Sequence, residues 1–339
     1  INDNTNVILS TANITVEDIT TLDNAEQINT YTTGEVTLNI ISDKFANVQA
    51  IHNLKPTTDG GNGVNLSAAL ITITDPVSLD QASIANKFTT GVVTLNSVED
   101  TYGNLVQIIE TSNTQLDMSD ASIKVTDQVT VEKVFTLIAN TTQSVQVVNI
   151  ADKKALLSLI NINNKANIST ANITVEDNVS RSEADVIDGY NTAGGTVTLT
   201  SITDTISDVT AVNSNTNISL STSSITITDP ATLSNATVLN GFTNAQITLN
   251  AVQDTASNIT DINKLETTDV SMSAATVTVT DPASLSDAIS INGFTDGQVT
   301  LNAVQDTVSN ITDINKLETT DVSMAKATVT VTDPASLSD

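Results

Sequence analysis

The residues in this chain best placed to do chemistry are aspartates that return at fixed intervals. Asp18, Asp43, Asp75, Asp100, Asp127, Asp152, Asp177, Asp204, Asp229, Asp254, Asp281, Asp306 and Asp333 each close a run rich in β-branched residues. Successive members lie 25 or 27 residues apart, apart from the 32 between Asp43 and Asp75. Carboxylates in such a series admit two chemistries. They can form a ladder for a hard cation such as Ca²⁺, which binds through several oxygens. Alternatively, each can cap the N-terminus of a helix, where an aspartate accepts an otherwise orphaned backbone N–H. Proline follows at Pro76, Pro230, Pro282 and Pro334, and this Asp-Pro order favours capping: Asp281 suits the N-cap and Pro282 the first helical position. Neither a D-x-[DN]-x-[DN]-G loop nor a glycine-rich Ca²⁺ nonapeptide occurs. The long interval is filled by the loop from Lys55 to Gly63, read as a surface excursion; within it Asp59-Gly60-Gly61-Asn62 is a further Ca²⁺ candidate.

Other recurring side chains have plainer readings. Thr15, Thr72, Thr174, Thr226, Thr278 and Thr330 in one series, and Thr37, Thr94, Thr198, Thr248 and Thr300 in another, would form a regular Thr-x-Thr face of the kind found on ice-binding repeats. Threonine is also a good residue for a solvated strand face, and Lys124, Gln146, Glu17 and Glu176 interrupt the plane. Asn39, Asn96, Asn250 and Asn302 are expected to form a hydrogen-bonded amide ladder. His52, the only histidine, stands where the repeat has Asn315 and reads as drift. No nucleophile elbow, P-loop, dinucleotide fingerprint or zinc spacing is present. No catalytic, cofactor-binding or metal-binding residue is assigned, no cofactor is expected, and the chain is read as a non-enzyme.

The elements that position these residues follow from a repeat. Residues 231–282 and 283–334 agree at 41 of 52 positions, and Asp-Pro recurs 52 residues apart at Asp229, Asp281 and Asp333. Each unit has two related halves. The odd half carries β-branched pairs two residues apart: Ile14/Val16, Ile71/Ile73, Ile123/Val125, Ile173/Val175, Ile225/Ile227, Val277/Val279 and Val329/Val331. The even half carries Val36/Leu38, Val93/Leu95, Val145/Val147, Val197/Leu199, Ile247/Leu249 and Val299/Leu301, with another apolar residue such as Val252 or Val304 two before the aspartate. Period two with branched side chains predicts half-buried strands, and the extra residue predicts a bend or second short strand. After the aspartate the period lengthens: Leu285, Ala288 and Ile289, and likewise Val308, Ile311 and Ile314, fall on helical stripes. Gly293 is expected to end the first of these helices in the left-handed conformation, with Phe294 folding back on Ile289; Gly241-Phe242 and Gly189-Tyr190 repeat the signal.

The fold expected is an α/β repeat solenoid. Short parallel β-strands stack turn on turn with short helices on another wall, at about 26 residues per turn within a 52-residue double repeat. The alternative is a 52-residue turn with strands on opposite walls. One continuous array of some 13 turns over 1–339 is expected, with units at 1–19 (partial), 20–76, 77–128, 129–178, 179–230, 231–282 and 283–334; the divergent 129–178 is read as a variant turn.

Bulk composition narrows the partners. With 39 acidic residues against 12 basic ones the net charge is −27, which argues against nucleic acid, whose phosphates need clustered Lys and Arg. The chain has no cysteine, so a disulfide-stapled domain is excluded. No apolar run approaches the roughly 20 residues of a membrane helix. The chain begins at Ile1 and stops inside a unit, and is expected to be a piece of a longer protein.

On the units TVTVTDPASLSD and VTLNAVQDTVSNI, the chain resembles the tandem-repeat regions of very large secreted or cell-surface bacterial proteins, adhesin-like or S-layer-like. The resemblance implies an extracellular or cell-surface location. It also implies a structural role as scaffold or spacer of a surface layer, fibre or adhesin stalk, with other copies or flanking domains of the same long protein as partners. The competing expectation is a binding module that turns one face to a glycan, a surface or another protein, with ice binding and Ca²⁺-dependent adhesion as further variants.

Overall fold

A computed structural model describes residues 9–54, 63–111, 115–317 and 321–334. The loop from Lys55 to Asn62, including Asp59-Gly60-Gly61-Asn62, lies outside the described residues. The period-two segments form strands and the segments after them form helices. Twelve α-helices of eight to ten residues alternate with the strands among the described residues. There are two compact units. One comprises the described residues up to Ala151 with Leu156–Ala171; the other comprises Asp152–Ala155 with the described residues from Asn172 onward.

Within each unit the sheets are open, and the strand pairings are parallel. In the first unit the hydrogen-bonded order is Ile14–Thr20, Val36–Asp43, Leu70–Val77, Val93–Asp100, Ser122–Val129, Val145–Asp152, so odd and even strands alternate as neighbours. The second unit runs Asn172–Val179, Val197–Asp204, Ser224–Ile227, Ile247–Leu249 and, in a further sheet, Ala251–Asp254, Thr276–Ala283, Val299–Asp306. Parallel neighbours need a crossover, and here each crossover contains one short helix. The extra apolar residue of the even half extends the same strand through Val304, and in one unit the strand breaks at Asn250.

Register explains the core. Val277 pairs with Val299 and Val279 with Leu301; pairing resumes at Pro282 with Ala303 and Ala283 with Val304. The odd strand therefore carries one extra residue, a bulge at Thr280–Asp281 opposite Asn302. The bulge recurs in the other described odd–even pairs. Proline is tolerated at such a position because it owes no ladder hydrogen bond there. The second half of the even strand then turns to the following odd strand, Val304 pairing with Val329. From one odd neighbour to the next the pairing thus moves along the even strand from Val299 to Val304. The inward pairs of the interior strands are buried, from Ile71/Ile73 through Val277/Val279 and from Val36/Leu38 through Val299/Leu301. The outermost pairs are less covered, with Val329 and Val331 at 45% and 42% exposure.

Three expectations are corrected. Asp281 and Pro282 do not begin the helix: both belong to the strand Thr276–Ala283, and the helix Leu285–Asn292 is capped by Ser284, whose hydroxyl accepts from the Asp287 N–H. The register demanded by the bulge holds Pro282 extended, so helical geometry starts only after Ala283 has been buried. The helix does not end left-handed either. Gly293, Gly241 and Gly189 all have right-handed φ values, −78°, −83° and −62°. Shortened bonds satisfy the last carbonyls instead, Phe294 N–H donating to Ile291 at 3.0 Å. Correspondingly Ile289 is 55% exposed, and Ala288 and Ile291 form the buried stripe. Finally, Asn39, Asn96, Asn250 and Asn302 cannot form a ladder, because an odd strand lies between successive even ones, separating them by about 10 Å.

Candidate functional site

The aspartate series is where the recurring polar chemistry concentrates, and its geometry is capping between repeats. At the strand ends named next, the aspartate lies beside the N-terminus of the helix that came one interval earlier. Asp75, Asp127, Asp177, Asp229, Asp281 and Asp333 accept the first helical N–H of Phe45, Tyr102, Lys154, Ile206, Ala256 and Val308 at 2.7–2.9 Å. Asp43, Asp100, Asp204, Asp254 and Asp306 do the same for Leu22, Leu79, Arg181, Leu233 and Leu285 at 2.8–2.9 Å. Capping was the expected role, but the capped helix belongs to the preceding half-repeat. A carboxylate at a helix N-terminus meets orphan N–H donors and the positive end of the helix dipole. That surrounding attracts anionic oxygen and repels a cation.

The even aspartates do more. Asp306 accepts from Leu285 across the interval, from its own neighbour Thr307, and from the Asn310 amide, all at 2.8–2.9 Å. These bonds hold its carboxyl below the ordinary value, the Leu285 N–H contributing most. In Asp43 and Asp254 burial pushes the carboxyl up, yet the N–H donors of Leu22 and Leu233 with the amides of Asn47 and Asn258 outweigh it, and both end lowered. Odd helices rely on their own Ser or Thr for the next donor. Ser78/Gln81, Ser180/Glu183, Thr232/Asn235 and Ser284/Asp287 form reciprocal capping boxes. The S/T-x-x-E/Q spacing, here also carried by Asn and Asp, is the signal that would have located these starts.

A second recurrent bond was not anticipated. Thr89, Thr141, Thr243 and Thr295 are buried, and each donates its hydroxyl to a carbonyl 20 residues earlier, at Ala69, Ala121, Ser223 and Ala275. The same hydroxyl accepts the N–H two residues on, as from Gly297 to Thr295 at 2.9 Å. Close approach explains the glycine in this turn: a Cβ on Gly91 or Gly297 would lie 2.3 or 2.2 Å from the Ala69 or Ala275 carbonyl oxygen. The Thr-Thr-Gly spelling at Thr89-Thr90-Gly91 was the available clue.

The other singled-out residues are structural in their surroundings. The threonine pairs lie in register as Thr72 beside Thr94, Thr226 beside Thr248 and Thr278 beside Thr300, and these threonines are half-buried. Where Lys124 and Gln146 interrupt them, Lys124 pairs with Glu99 at 2.7 Å. His52 stacks on Phe88 with ring centroids 4.0 Å apart. Arg181, the sole arginine, occupies the position of Leu79, Leu233 and Leu285, and Asp208 that of Asn104, Asn258 and Asn310. The two exchanged residues meet at 2.9 Å, a compensated substitution within the repeat. The Asp208 carboxyl is lowered first by the Thr205 hydroxyl and then by Arg181.

Open hollows lie between the repeats. One of about 650 Å³ is bordered by Gln115, Asp117, Ser119, Asn140, Thr142 and Lys165; another, of about 430 Å³, by Asn263, Glu266, Ser273, Asn292 and Asp296. Among the described residues no group of three or more His, Asp or Glu is placed to hold a metal ion. No helix is long and apolar enough to cross a membrane among the described residues. No protein-family model and no curated protein sequence matches the chain.

Proposed function

We propose that this chain is a non-enzymatic structural repeat segment, a scaffold or spacer in a long protein of the cell surface or exterior, built as a solenoid of about 26 residues per turn. The observation that carries the reading is the use of the recurring polar groups. Among the described bonds, aspartates from Asp43 to Asp333 repeatedly accept the first N–H of a helix in the preceding half-repeat. Side chains that would serve a ligand in a binding or catalytic repeat here join one half-repeat to the next. Partners on this reading are flanking domains or other copies of the same protein, and nucleic acid is disfavoured by the net charge of −27.

Two measurements test it. Removal of residues 231–282, one full double repeat, should leave a chain with unchanged helix content per residue and a cooperative melt, because the odd–even alternation is restored across the junction. Removal of a 40-residue segment from the same region should destroy cooperativity; equal tolerance of both deletions would reject the 26-residue turn. A glycan array probed with this segment should stay at background, and saturable binding at micromolar concentration would replace the spacer by the binding-module reading.

A further inference from the structure

Each odd strand is joined to the even strand after it by one recurring bond. The first inward residue of the odd strand, at Ile14, Ile71, Ile123, Ile173, Ile225 and Val277, donates its N–H to the carbonyl just before the even strand, at 2.8–3.0 Å; for Val277 the acceptor is Gln298. Where even strands flank an odd strand on both sides, its inward pair is at most 1% exposed, from Ile71/Ile73 to Val277/Val279. Val329 and Val331 stand 52 residues beyond Val277 and Val279. Their strand, Thr328–Val331, has the even neighbour that precedes it: Ala303 to Asp306 pair with it as Ala251 to Asp254 pair with Thr276 to Val279. No described strand lies on its other side. The exposure of Val329 and Val331, against 1% and 0% for Val277 and Val279, is therefore the area that a following even strand covers elsewhere in the chain.

We propose that the free edge of Thr328–Val331 is a docking edge for an even half-repeat strand of the V-T-L-N-A-V-Q-D type, supplied by another segment built on the same unit and added in parallel. Main-chain bonds give such an added strand its affinity, and the side chains that alternate along it give it specificity. The occupant is identified by the pairing inside the chain. Val277 lies opposite Val299, Thr278 opposite Thr300 and Val279 opposite Leu301, so an incoming even strand sets the same three residues against Val329, Thr330 and Val331. An odd strand offered to this edge fits less well. It would set bulge beside bulge and bring to the ladder a Pro282, which has no N–H to donate. The strand Ile14–Thr20 is itself odd, so by this rule it is not the partner of the Thr328–Val331 edge in a second copy. The inference gives a chemistry to the partner of the scaffold reading but rests on strand pairing alone, and its failure would leave the deletion test of that reading untouched.

The chain has no cysteine, so a single introduced thiol reports a single contact. The probe is a synthetic peptide of residues 295–317 carrying Thr300→Cys, mixed with the full chain carrying Thr330→Cys in a glutathione buffer with about 0.5 M NaCl to screen the acidic body. The mixed disulfide should form in a yield roughly ten times that given by the same peptide with Val299→Ser and Leu301→Ser, which keeps the backbone and removes the inward pair. A peptide of residues 271–293 carrying Thr278→Cys, odd in type and of equal length, should do no better than that control. The full chain with Thr278→Cys in place of Thr330→Cys should not capture the even peptide, because its own Thr300 already lies opposite. With unmodified peptide and chain, hydrogen exchange at the Val329 amide should slow roughly ten-fold on addition of the even peptide. Equal yields from the even and odd peptides, a yield indifferent to the Val299 and Leu301 changes, equal capture by the Thr278→Cys chain, or unchanged exchange at Val329 would each overturn the proposal.

Discussion

The odd and even half-repeats present the same residue at the same place in the sequence pattern and use it differently. In the odd half the aspartate sits in a bulge, often followed by proline, and its described bond is to a single helix N–H one interval back, as Asp281 to Ala256 at 2.8 Å. In the even half no extra bulge residue precedes the aspartate, and it binds both the earlier helix and its own: Asp254 takes Leu233, Thr255 and the Asn258 amide. The difference originates in the backbone. The bulge turns the odd aspartate out of line with its own helix, which must then be capped by Ser284 or Thr232 a few residues later. Without a bulge the even aspartate immediately precedes its own N-cap threonine and reaches both helices. The even half is therefore the stronger joint between repeats.

The core should not share this asymmetry. Val277 and Val299 are paired and both fully buried, so Val277→Asp and Val299→Asp should each cost on the order of 4 kcal/mol, an unpaired carboxylate being placed among apolar side chains. Thr278→Asp, on the half-buried opposite face, should cost much less. Denaturant midpoints decide this, and equal losses at 277 and 278 would mean the inward face is misassigned. The caps should separate the halves. Asp254→Ala removes three bonds to a charged acceptor and should cost about 2 kcal/mol, while Asp281→Ala removes one and should cost about 1 kcal/mol. Equal midpoint shifts would erase the distinction between the joints.

The inward pairs and the alternation of strand and helix were legible because they depend only on side-chain period. Val277 and Val279 announce a strand by their type and spacing alone. The helix start was misread because Asp281-Pro282 satisfies a local rule for an N-cap, while the bond that Asp281 makes is to Ala256, 25 residues away. Nothing in the local sequence distinguishes a carboxylate that caps its own helix from one that caps another. The bulge was similarly hidden, since it is a property of two strands in register. Ser284 and Asp287, by contrast, were readable as a capping box. The buried threonines escaped notice because Thr295 resembles the surface threonines in composition, and only its carbonyl partner Ala275 sets it apart.

Acid should weaken three of the even joints. Asp43, Asp254 and Asp306 have carboxyls held below their ordinary value in the folded state. Their stabilisation is complete above the unfolded value, about 3.9, and is lost as pH falls through the lower folded values. Melting temperature should accordingly fall between about pH 4 and pH 3. In the Asp254→Ala variant one of these contributions is absent, so its deficit relative to the parent should shrink over that window. A deficit that stayed constant to pH 3 would show that the Asp254 cap does not depend on its charge.

The smallest effect expected is that of ions, and it tests whether either half has chemistry beyond capping. A chain of net charge −27 repels itself, and at physiological salt the Debye length is about 8 Å, so NaCl should damp the repulsion and raise the melting temperature by about 3 °C. Ca²⁺ at equal ionic strength should act like Mg²⁺. The aspartates point at helix N–H groups and at the positive ends of helix dipoles, and a cation would have to displace those donors to gain the same oxygens. Calorimetric titration after chelation is the deciding measurement. A saturable Ca²⁺ isotherm lost in Asp281→Asn would assign the cation to the odd aspartates, whose single described bond leaves more of the carboxylate unclaimed than Asp254 has. A saturable isotherm unchanged by that substitution would place the site outside the odd Asp281 position. Screening alone gives neither, only a gradual rise in stability shared by both divalent ions.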